Sequence, residues 1–563
     1  MAKKYNILLL TNRDSDNVGD QVIEACDIAL IRTVMKNLNI KKSNYEISSR
    51  AAAIITKKYV KTKNTQLLKT ADDLIKKTDV IVFGGAPVFN YLYQIFYERT
   101  ATTLEIAQKY HKPVIFSAIG VERYEETNEK CQRLKKTLNF DCVKQITTRD
   151  GIEELTKYKE REDLVISRVS DPAVFTAQVF REHNIAAGKI KSQKKIGIFV
   201  FRANGFIDNK IDFTKDDAAK LWKDLVEELE SKGYDYTLLT SGHFGDEAFL
   251  DYLIREHGIK ESKCVFNMNS ADKLIKQISS FDAIISCRLH PSIIAFSLDV
   301  PALGLIWNSK VKHFYECIGY KERGIEVQGI NAKTIIDNLE QVMVQGVAKD
   351  EEYLMSVYRS LFYGIQRSLN MTDKNIQPYD YDVLIQHIPV FPDTSVREKE
   401  EKLKRKFRRV YETLNVRMDK NKVQEEKIKN LREITSQYTM FYHTGEKGKQ
   451  LTFIKNESEI NGTMNTLPTG ALECKLSEPV NNDGSNVFLD NIYQNGSKEF
   501  CGWKIRFRIG QLWFWYLEDE LFCRKGECDE KMEEKMKLFH PGDSIPYLPF
   551  PGVESVVVEA RWH

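Results

Sequence analysis

The stretch AIISCRLHPSIIAFSL, residues 283–298, passes from a short apolar strand through a polar loop into an apolar helix. The opening run has the continuous apolar character of a buried parallel strand, and residues 292–298 continue as a helix. Pro291 fits this interpretation because proline is tolerated in the first helical turn. Arg288 and His290 therefore lie on the loop after a strand. Ligands of open α/β sheets bind at this position, so the loop is predicted to be part of a site.

The same alternation of strands and helices extends outward from this stretch in both directions. Strands separated by helices indicate a parallel sheet with helices on both faces, and a basic linker near residues 189–195 divides two such regions. Two Rossmann-like domains in tandem usually meet at a cleft that binds ligands. A helix at 351–369 closes the second region and can cross back to the first. The predicted strands are 5–10, 79–83, 113–120, 143–148, 195–201, 234–240, 263–266, 282–286 and 301–307.

The composition changes near residue 390. Residues 397–409 hold eight basic and three acidic residues, and apolar residues recur at heptad-like spacing, which indicates a long charged helix or a short coiled coil. Beyond residue 440 the pattern becomes β-rich, with turn dipeptides between the strands. The predicted divisions are an N-terminal Rossmann-like domain at 1–188, a second Rossmann-like domain at 189–390, a charged helix at 391–438 and a β-rich domain of unknown role at 439–563.

Charge and hydropathy exclude several classes of protein. The 563 residues include 83 Lys and Arg against 80 Asp and Glu, a net charge of +3, which argues against a general nucleic-acid-binding role. No apolar run approaches the roughly 20 residues of a transmembrane helix. The apolar run near the N-terminus is too short for a signal peptide, so a cytoplasmic location is expected.

The loop at residues 286–291 carries the most informative pair of side chains. Arg288 offers a bidentate fork for phosphate or carboxylate, and His290 can give or take a proton near neutral pH. The structural alternative is an arginine in a salt bridge beside a histidine that caps the helix. Arg202, just after the strand 195–201, is a candidate second cation for an anionic ligand.

Two loops of the first region are further candidates. Asn17, Gly19 and Asp20 lie between the first strand and the first helix, where a helix N-terminus can hold an anion or sugar hydroxyls. The alternative is that Asp20 only caps the helix. Gly84 and Gly85 follow another strand, where a glycine pair admits either a ligand or a plain turn. These five residues are the candidates for an acceptor site.

In order and spacing, several short motifs resemble those of the polysaccharide pyruvyl transferase family. The resemblance covers about residues 5–345, and Ala86 departs from it because the family usually has a third glycine there. The region beyond residue 390 carries no such resemblance. The matching stretches are Asn17-Val18-Gly19-Asp20, Gly84-Gly85, Ser117-Ala118-Ile119-Gly120, Thr148-Arg149-Asp150, Ser170-Asp171-Pro172-Ala173 and Ser286-Cys287-Arg288-Leu289-His290.

This resemblance implies a GT-B-like arrangement of the two domains and a specific reaction. Phosphoenolpyruvate would donate its enolpyruvyl carbons to two hydroxyls of one sugar, forming a cyclic ketal and releasing phosphate. The resemblance assigns Arg288 and His290 to the donor, with Arg202 as a weaker match. A protonated His290 would supply the proton for the methylene carbon, and Arg288 would stabilise the leaving phosphate. No step requires a metal or a redox cofactor.

Other interpretations remain open from the sequence. A sugar-nucleotide glycosyltransferase of the same architecture would use Arg288 to hold a diphosphate, and a non-catalytic carbohydrate-binding protein would keep only the scaffold. The acceptor is expected to be a sugar or a lipid-linked oligosaccharide. Residues 397–409 could then contact anionic lipid at the inner face of the plasma membrane. A solvated helix or a coil that forms a homo-oligomer is the alternative for this segment.

Overall fold

The structure is a computed structural model, which describes most of the chain up to residue 435 and the strands beyond it. The chain divides into two compact units, residues 1–409 and residues 410–563, and the second is called the C-terminal unit. The described residues are 4–91, 95–183, 193–202, 204–209, 211–372, 375–392, 394–435, 439–445, 448–455, 458–466, 472–480, 487–489, 500–509, 511–517, 520–525, 536–540, 544–545 and 553–562.

The first α/β region is built on a six-stranded parallel sheet with the order β2-β1-β3-β4-β5-β6. Its central strands are buried on both faces, as their continuous apolar runs require, whereas the two edge strands are partly exposed. The strands are β1 (Tyr5–Thr11), β2 (Tyr45–Ala51), β3 (Val80–Gly84), β4 (Val114–Ile119), β5 (Val143–Thr148) and β6 (Val165–Arg168); the helices are α1 (Gly19–Asn37), α2 (Lys57–Thr62), α3 (Lys69–Lys76), α4 (Phe96–Lys109), α5 (Glu129–Leu138), α6 (Ile152–Tyr158) and α7 (Thr176–Val179).

The second α/β region repeats this plan with a six-stranded parallel sheet of order β12-β11-β10-β7-β8-β9. The predicted α/β class with two Rossmann-like domains is therefore confirmed. The strands are β7 (Lys195–Phe199), β8 (Asp235–Leu239), β9 (Cys264–Val265), β10 (Ala283–Ser286), β11 (Ala302–Ile306) and β12 (Gly324–Glu326); the helices are α8 (Asn204–Asp208), α9 (Lys215–Ser231), α10 (Phe244–His257), α11 (Ala271–Ile278), α12 (Leu289–Ser297), α13 (Ser309–Cys317) and α14 (Ala332–Gln345).

Helix α15 (Glu351–Ser368) follows the second sheet in the chain but packs on the first, as the sequence suggested. Its Ser360 carbonyl and hydroxyl both accept hydrogen bonds from the Gln145 amide, at 3.0 and 2.7 Å. Its Tyr358 hydroxyl accepts a 3.1 Å bond from Asn37 of α1. The crossover thus packs an element that follows the second sheet onto the first sheet. The short helix α16 (Tyr381–His387) follows.

Helix α17 (Val396–Thr435) is continuous for 40 residues and confirms the predicted long charged helix. The C-terminal unit then forms a mostly antiparallel ten-stranded sheet, which confirms the predicted β-rich region. Within the described residues, no helix is long and apolar enough to cross a membrane. The strands are β13 (Thr439–Gly445), β14 (Gly448–Lys455), β15 (Ser458–Thr466), β16 (Leu472–Val480), β17 (Val487–Leu489), β18 (Phe500–Ile509), β19 (Leu512–Leu517), β20 (Glu520–Lys525), β21 (Ser544–Ile545) and β22 (Val553–Trp562).

The basic start of α17 is tied to both α/β regions by polar contacts. On the first region, Arg405 pairs with Asp14 at 3.0 Å and Arg409 with Asp16 at 2.9 Å. On the second, Lys399 pairs with Asp272 at 2.8 Å. Two further contacts of the same kind are Lys402 with Gln21 and Lys406 with Glu247. Five of the eight basic side chains at 397–409 therefore bind groups of these two regions.

Candidate functional site

The loop between β10 and α12 is held by its own hydrogen bonds. The Ser286 hydroxyl accepts from the Arg288 backbone N–H at 3.0 Å and donates to the Arg288 carbonyl at 2.8 Å. The Trp307 indole N–H donates to the Cys287 carbonyl at 2.6 Å. These bonds leave the Arg288 side chain at the carboxyl end of the sheet, where the sequence predicted it.

Two arginines from different strand ends meet on one buried carboxylate. Arg288 donates through Nε and Nη2 to Oδ2 of Asp246, at 2.9 and 2.6 Å, and Nη1 of Arg202 lies 3.4 Å from Oδ1. Asp246 is fully buried, whereas the side chains of Arg288 and Arg202 keep 14% and 30% of their surface exposed. Asp246 thus fixes the orientation of the two predicted cations, and both of their side chains remain partly accessible to a ligand.

His243 joins this cluster as the N-cap of α10. Its Nδ1 accepts hydrogen bonds from the Gly245 N–H at 3.1 Å and from Nη1 of Arg202 at 2.8 Å. Burial is the main cause that lowers the pKa of His243 to about 4, and the nearby Arg288 and Arg202 lower it further against the opposing effect of Asp246. The imidazole is therefore neutral near pH 7, and its Nδ1 accepts the hydrogen bond that Arg202 donates.

Aromatic rings form the other wall around Arg288. Its guanidinium carbon lies 4.5 Å from the centre of the Phe201 ring and 6.0 Å from that of Trp307. Cation–π contacts of this kind attract the guanidinium to the aromatic rings and help to fix its position. The edge of Arg288 that Asp246 does not occupy is then available for an anion.

His290 is buried near the N-terminus of α12 and faces the loop after β1. The Asn17 amide nitrogen donates to His290 Nδ1 at 3.1 Å, and the Asn17 amide oxygen accepts from the Gly19 N–H at 3.2 Å. A Cβ atom on Gly19 would lie 2.3 Å from His290, so only glycine fits here. Two motifs 273 residues apart therefore form one site across the cleft.

The pKa of His290 is lowered well below its usual value, mainly by burial and also by the nearby Arg149, Arg288 and Lys310. The ring is consequently neutral in the free protein near pH 7. The sequence analysis gave a proton-donating role to a protonated His290. That role requires a bound anion to raise this pKa.

Asp20 does not cap α1. The N-cap residue is Val18, without a side-chain bond, while Asp20 is buried and accepts a 3.2 Å bond from the Asn12 amide. Burial raises the pKa of Asp20 to about 6, against the lowering effects of Ser15, Arg149 and Asn12. Asp20 thus lies in the first turn of α1, next to the loop that contains Asn17.

Gly84 and Gly85 serve the packing of α1 on the sheet. A Cβ on Gly84 would lie 2.2 Å from the Asp27 carboxylate, and one on Gly85 would lie 2.3 Å from Ile23. Gly85 also has φ +52°, a conformation that glycine adopts without strain. These contacts account for the glycine pair without a ligand.

A cavity of about 890 Å³ opens beside the arginine cluster. Its lining combines loops after β1 and β2 and the start of α4 with His243 from the second region. Its size falls within the range of small-molecule sites, about 300–1,000 Å³. Among the residues up to 435 and the C-terminal strands that the structure describes, no group of three acidic, histidine or cysteine side chains is placed to hold a metal ion.

Sequence reasoning identified Arg202, Arg288, His290, Asn17 and Gly19, which the fold brings together. It missed Asp246, which lies 42 positions before Arg288 and carries no motif of its own. For His243, the sequence offered one indication of a place in the site: it lies on a polar loop after a predicted strand.

The family model of the polysaccharide pyruvyl transferases matches residues 17–309, which is more than half of the chain. Comparison with curated proteins gives no match. A UDP-N-acetylglucosamine 2-epimerase structure is 14% identical, with a TM-score of 0.44, and covers 68% of this chain and 100% of its own. A putative UDP-N-acetylglucosamine 2-epimerase from Listeria monocytogenes has 10% identity, a TM-score of 0.45 and coverage of 67% and 99%. The UDP-GlcNAc 2-epimerase from Methanocaldococcus jannaschii has 15% identity, a TM-score of 0.42 and coverage of 65% and 99%.

Proposed function

Since this chain belongs to the polysaccharide pyruvyl transferase family, we propose that it transfers pyruvate from phosphoenolpyruvate to two hydroxyls of a sugar. The sugar would be part of a cell-surface polysaccharide or of its lipid-linked precursor. The product is a ketal, and inorganic phosphate is released. The observation that carries this proposal is the convergence of Arg202 and Arg288 on Asp246 beside His290.

Phosphoenolpyruvate has two anionic groups, a carboxylate and a phosphate, which match two guanidinium groups. Asp246 contributes one negative charge between the two guanidinium groups, and the anionic groups of the donor would add to it. Arg288 has the lower exposure and its plane is set by Phe201 and Asp246, which suits bidentate binding of one planar or tetrahedral anion. Arg202 then serves the second anionic group.

The reaction balances with one proton relay. A proton is added to the methylene carbon of the donor, which becomes the methyl group of pyruvate, and the first sugar hydroxyl attacks the resulting cationic carbon and loses its proton. The second hydroxyl then displaces phosphate, and its proton leaves with the phosphate. His290 is the group proposed to move the first proton, a contribution typically worth about 10²–10⁴-fold.

The state of His290 follows from its neighbours. Its neutral ring accepts at Nδ1 from Asn17, so its remaining proton is on Nε2. Binding of the donor brings negative charge toward a ring that now faces several cations, and this raises its pKa. Protonation at Nδ1 then requires the Asn17 amide to present its oxygen instead of its nitrogen.

The peripheral contact of residues 397–409 with anionic lipid stays a prediction, as does a homo-oligomer. Of the basic side chains in this segment, Arg397, Lys404, Arg405 and Arg408 are exposed, whereas Lys406 is almost covered by its pair with Glu247. Arg397 pairs with Glu401 and Arg405 with Asp14, so a lipid contact would use Lys404 and Arg408 first.

The test follows inorganic phosphate released from phosphoenolpyruvate across a panel of sugar acceptors. We expect acceptor-dependent release by the wild type, and a loss of at least tenfold in kcat/KM for Arg288→Gln, because a charge-assisted contact contributes about 1.5–3 kcal/mol. Arg255→Gln, on the exposed face of α10, is the matched control and should behave as wild type. Release of a nucleotide from a sugar nucleotide, with none from phosphoenolpyruvate, would instead identify a glycosyltransferase.

A further inference from the structure

Arg99 of α4 is a buried cation that nothing in the proposed reaction uses. It is 8% exposed, and its Nε is buried with no hydrogen-bond partner. Within the described ranges of the chain its guanidinium forms no ion pair. The neighbouring Glu98 is already bound by Lys63 and Arg133, so it leaves Arg99 uncompensated.

An uncompensated buried guanidinium is costly, because burial removes its hydration and no carboxylate replaces it. Burial alone lowers the pKa of Arg99, and no carboxylate in the described part of the chain opposes this effect. Such a residue is retained where a ligand supplies the missing negative charge. Arg99 lines the cavity of about 890 Å³ that also contains His243.

The other charged residues that line this cavity determine how much negative charge a bound ligand can carry. Asp14 and Asp16 line it too, but they are paired with Arg405 and Arg409 of α17. Lys57 and Lys61 also line it, and in the part of the chain that the structure describes neither forms an ion pair. With Arg99, these two lysines give three cations without a carboxylate partner.

Resting on the proposed function, we propose that Arg99 binds a phosphoryl group of the acceptor, so that the acceptor is a phosphorylated sugar. Three cations with no ion pair in the described part of the chain exceed what one carboxylate would need and match the charge of a phosphate or diphosphate. The sugar ring then lies between Arg99 and His243, which contacts the donor-binding Arg202. The apolar Phe96, over which Arg99 lies at 5.8 Å, gives the ring a surface to pack on.

Binding is measured by calorimetry with four probes: glucose 1-phosphate, inorganic phosphate, glucuronate and phosphoenolpyruvate. The proteins are the wild type, Arg99→Gln, Arg288→Gln and the exposed control Arg255→Gln. We expect Arg99→Gln to weaken glucose 1-phosphate by about ten- to one-hundredfold and to leave phosphoenolpyruvate within twofold. Arg288→Gln should show the reverse pattern, and Arg255→Gln should match the wild type for every probe. Glucose 1-phosphate binding tighter than that of inorganic phosphate would show that the sugar contributes.

A thermal scan separates binding from a structural role. Because Arg99→Gln removes an uncompensated buried charge, we expect the variant without ligand to melt at or above the wild-type temperature. A lower melting temperature together with weaker binding of both sugar phosphate and phosphoenolpyruvate would make Arg99 structural and overturn the proposal.

Two further outcomes also overturn it: no Arg99-dependent binding of glucose 1-phosphate, or Arg99-dependent binding of glucuronate alone. Failure of the proposed function looks different, since the wild type would then bind no phosphoenolpyruvate while glucose 1-phosphate could still depend on Arg99.

Discussion

Replacing Asp246 by asparagine tests whether one buried carboxylate organises the donor-binding arginines. Asparagine has nearly the same shape, so the change removes charge with little change in volume. The Asp246 carboxylate accepts two bonds from Arg288, at 2.9 and 2.6 Å, and lies 3.4 Å from Arg202. In Asp246→Asn two guanidinium groups share one neutral acceptor oxygen.

The magnitude follows from burial. Two charge-assisted hydrogen bonds at about 1.5–3 kcal/mol each set a gross loss of about 3–6 kcal/mol, and breaking a buried pair typically costs about 3–5 kcal/mol. Water can reach both arginines, whose side chains are 14% and 30% exposed, so we expect the lower end, about 3 kcal/mol. Turnover should fall more than donor affinity, because the site gains positive charge while Arg288 loses its fixed orientation.

Urea unfolding and phosphate-release kinetics measure the two effects on the same preparations. Asp251→Asn is the matched control on the same helix, because Asp251 is exposed and pairs with Arg255 at 2.8 Å. An exposed pair contributes about 0–1 kcal/mol. Equal unfolding midpoints and equal kcat for Asp246→Asn and Asp251→Asn would refute the argument that the buried carboxylate holds the arginines.

Three further predictions concern charge. Asn17→Asp places a carboxylate where an amide now lies 3.1 Å from His290, so the basic limb of the pH–rate profile, which reports loss of the proton that His290 donates, should shift to higher pH; an unchanged profile would separate Asn17 from the proton transfer. The pKa of Asp20 is raised to about 6, so its contribution to stability is present below about pH 4 and is lost as the pH rises to 6. Asp20→Asn should therefore unfold at higher urea than the wild type at pH 7.5 and not at pH 4, and the opposite order would contradict the buried state of this carboxyl. Because of residues 397–409, we expect the protein to float with anionic vesicles at low salt and not at high salt. Equal recovery of the protein with neutral vesicles would contradict this.

The central strands of both sheets could be predicted from the sequence. Strands β1, β3, β4 and β10 are buried on both faces, so each must be an apolar run, and this requirement is visible in the residues themselves. The edge strands β2, β6 and β12 were missed. Each is partly exposed, so polar residues such as Glu46 and Ser48 are tolerated and the apolar signal disappears.

The residues of the candidate site also fall into those that the sequence predicts and those that only the tertiary structure brings together. Arg288 and His290 were predictable because a strand-to-helix loop at the cleft end of a sheet is a local pattern. That Asn17 reaches His290, that Asp246 joins Arg202 to Arg288, and that Arg99 has no carboxylate partner among the described residues are properties of the tertiary structure. Local periodicity records which faces of an element are buried. Which side chains meet across 40 or 270 residues depends on how two sheets and a crossover helix place their loops, and no short segment of the sequence contains that information.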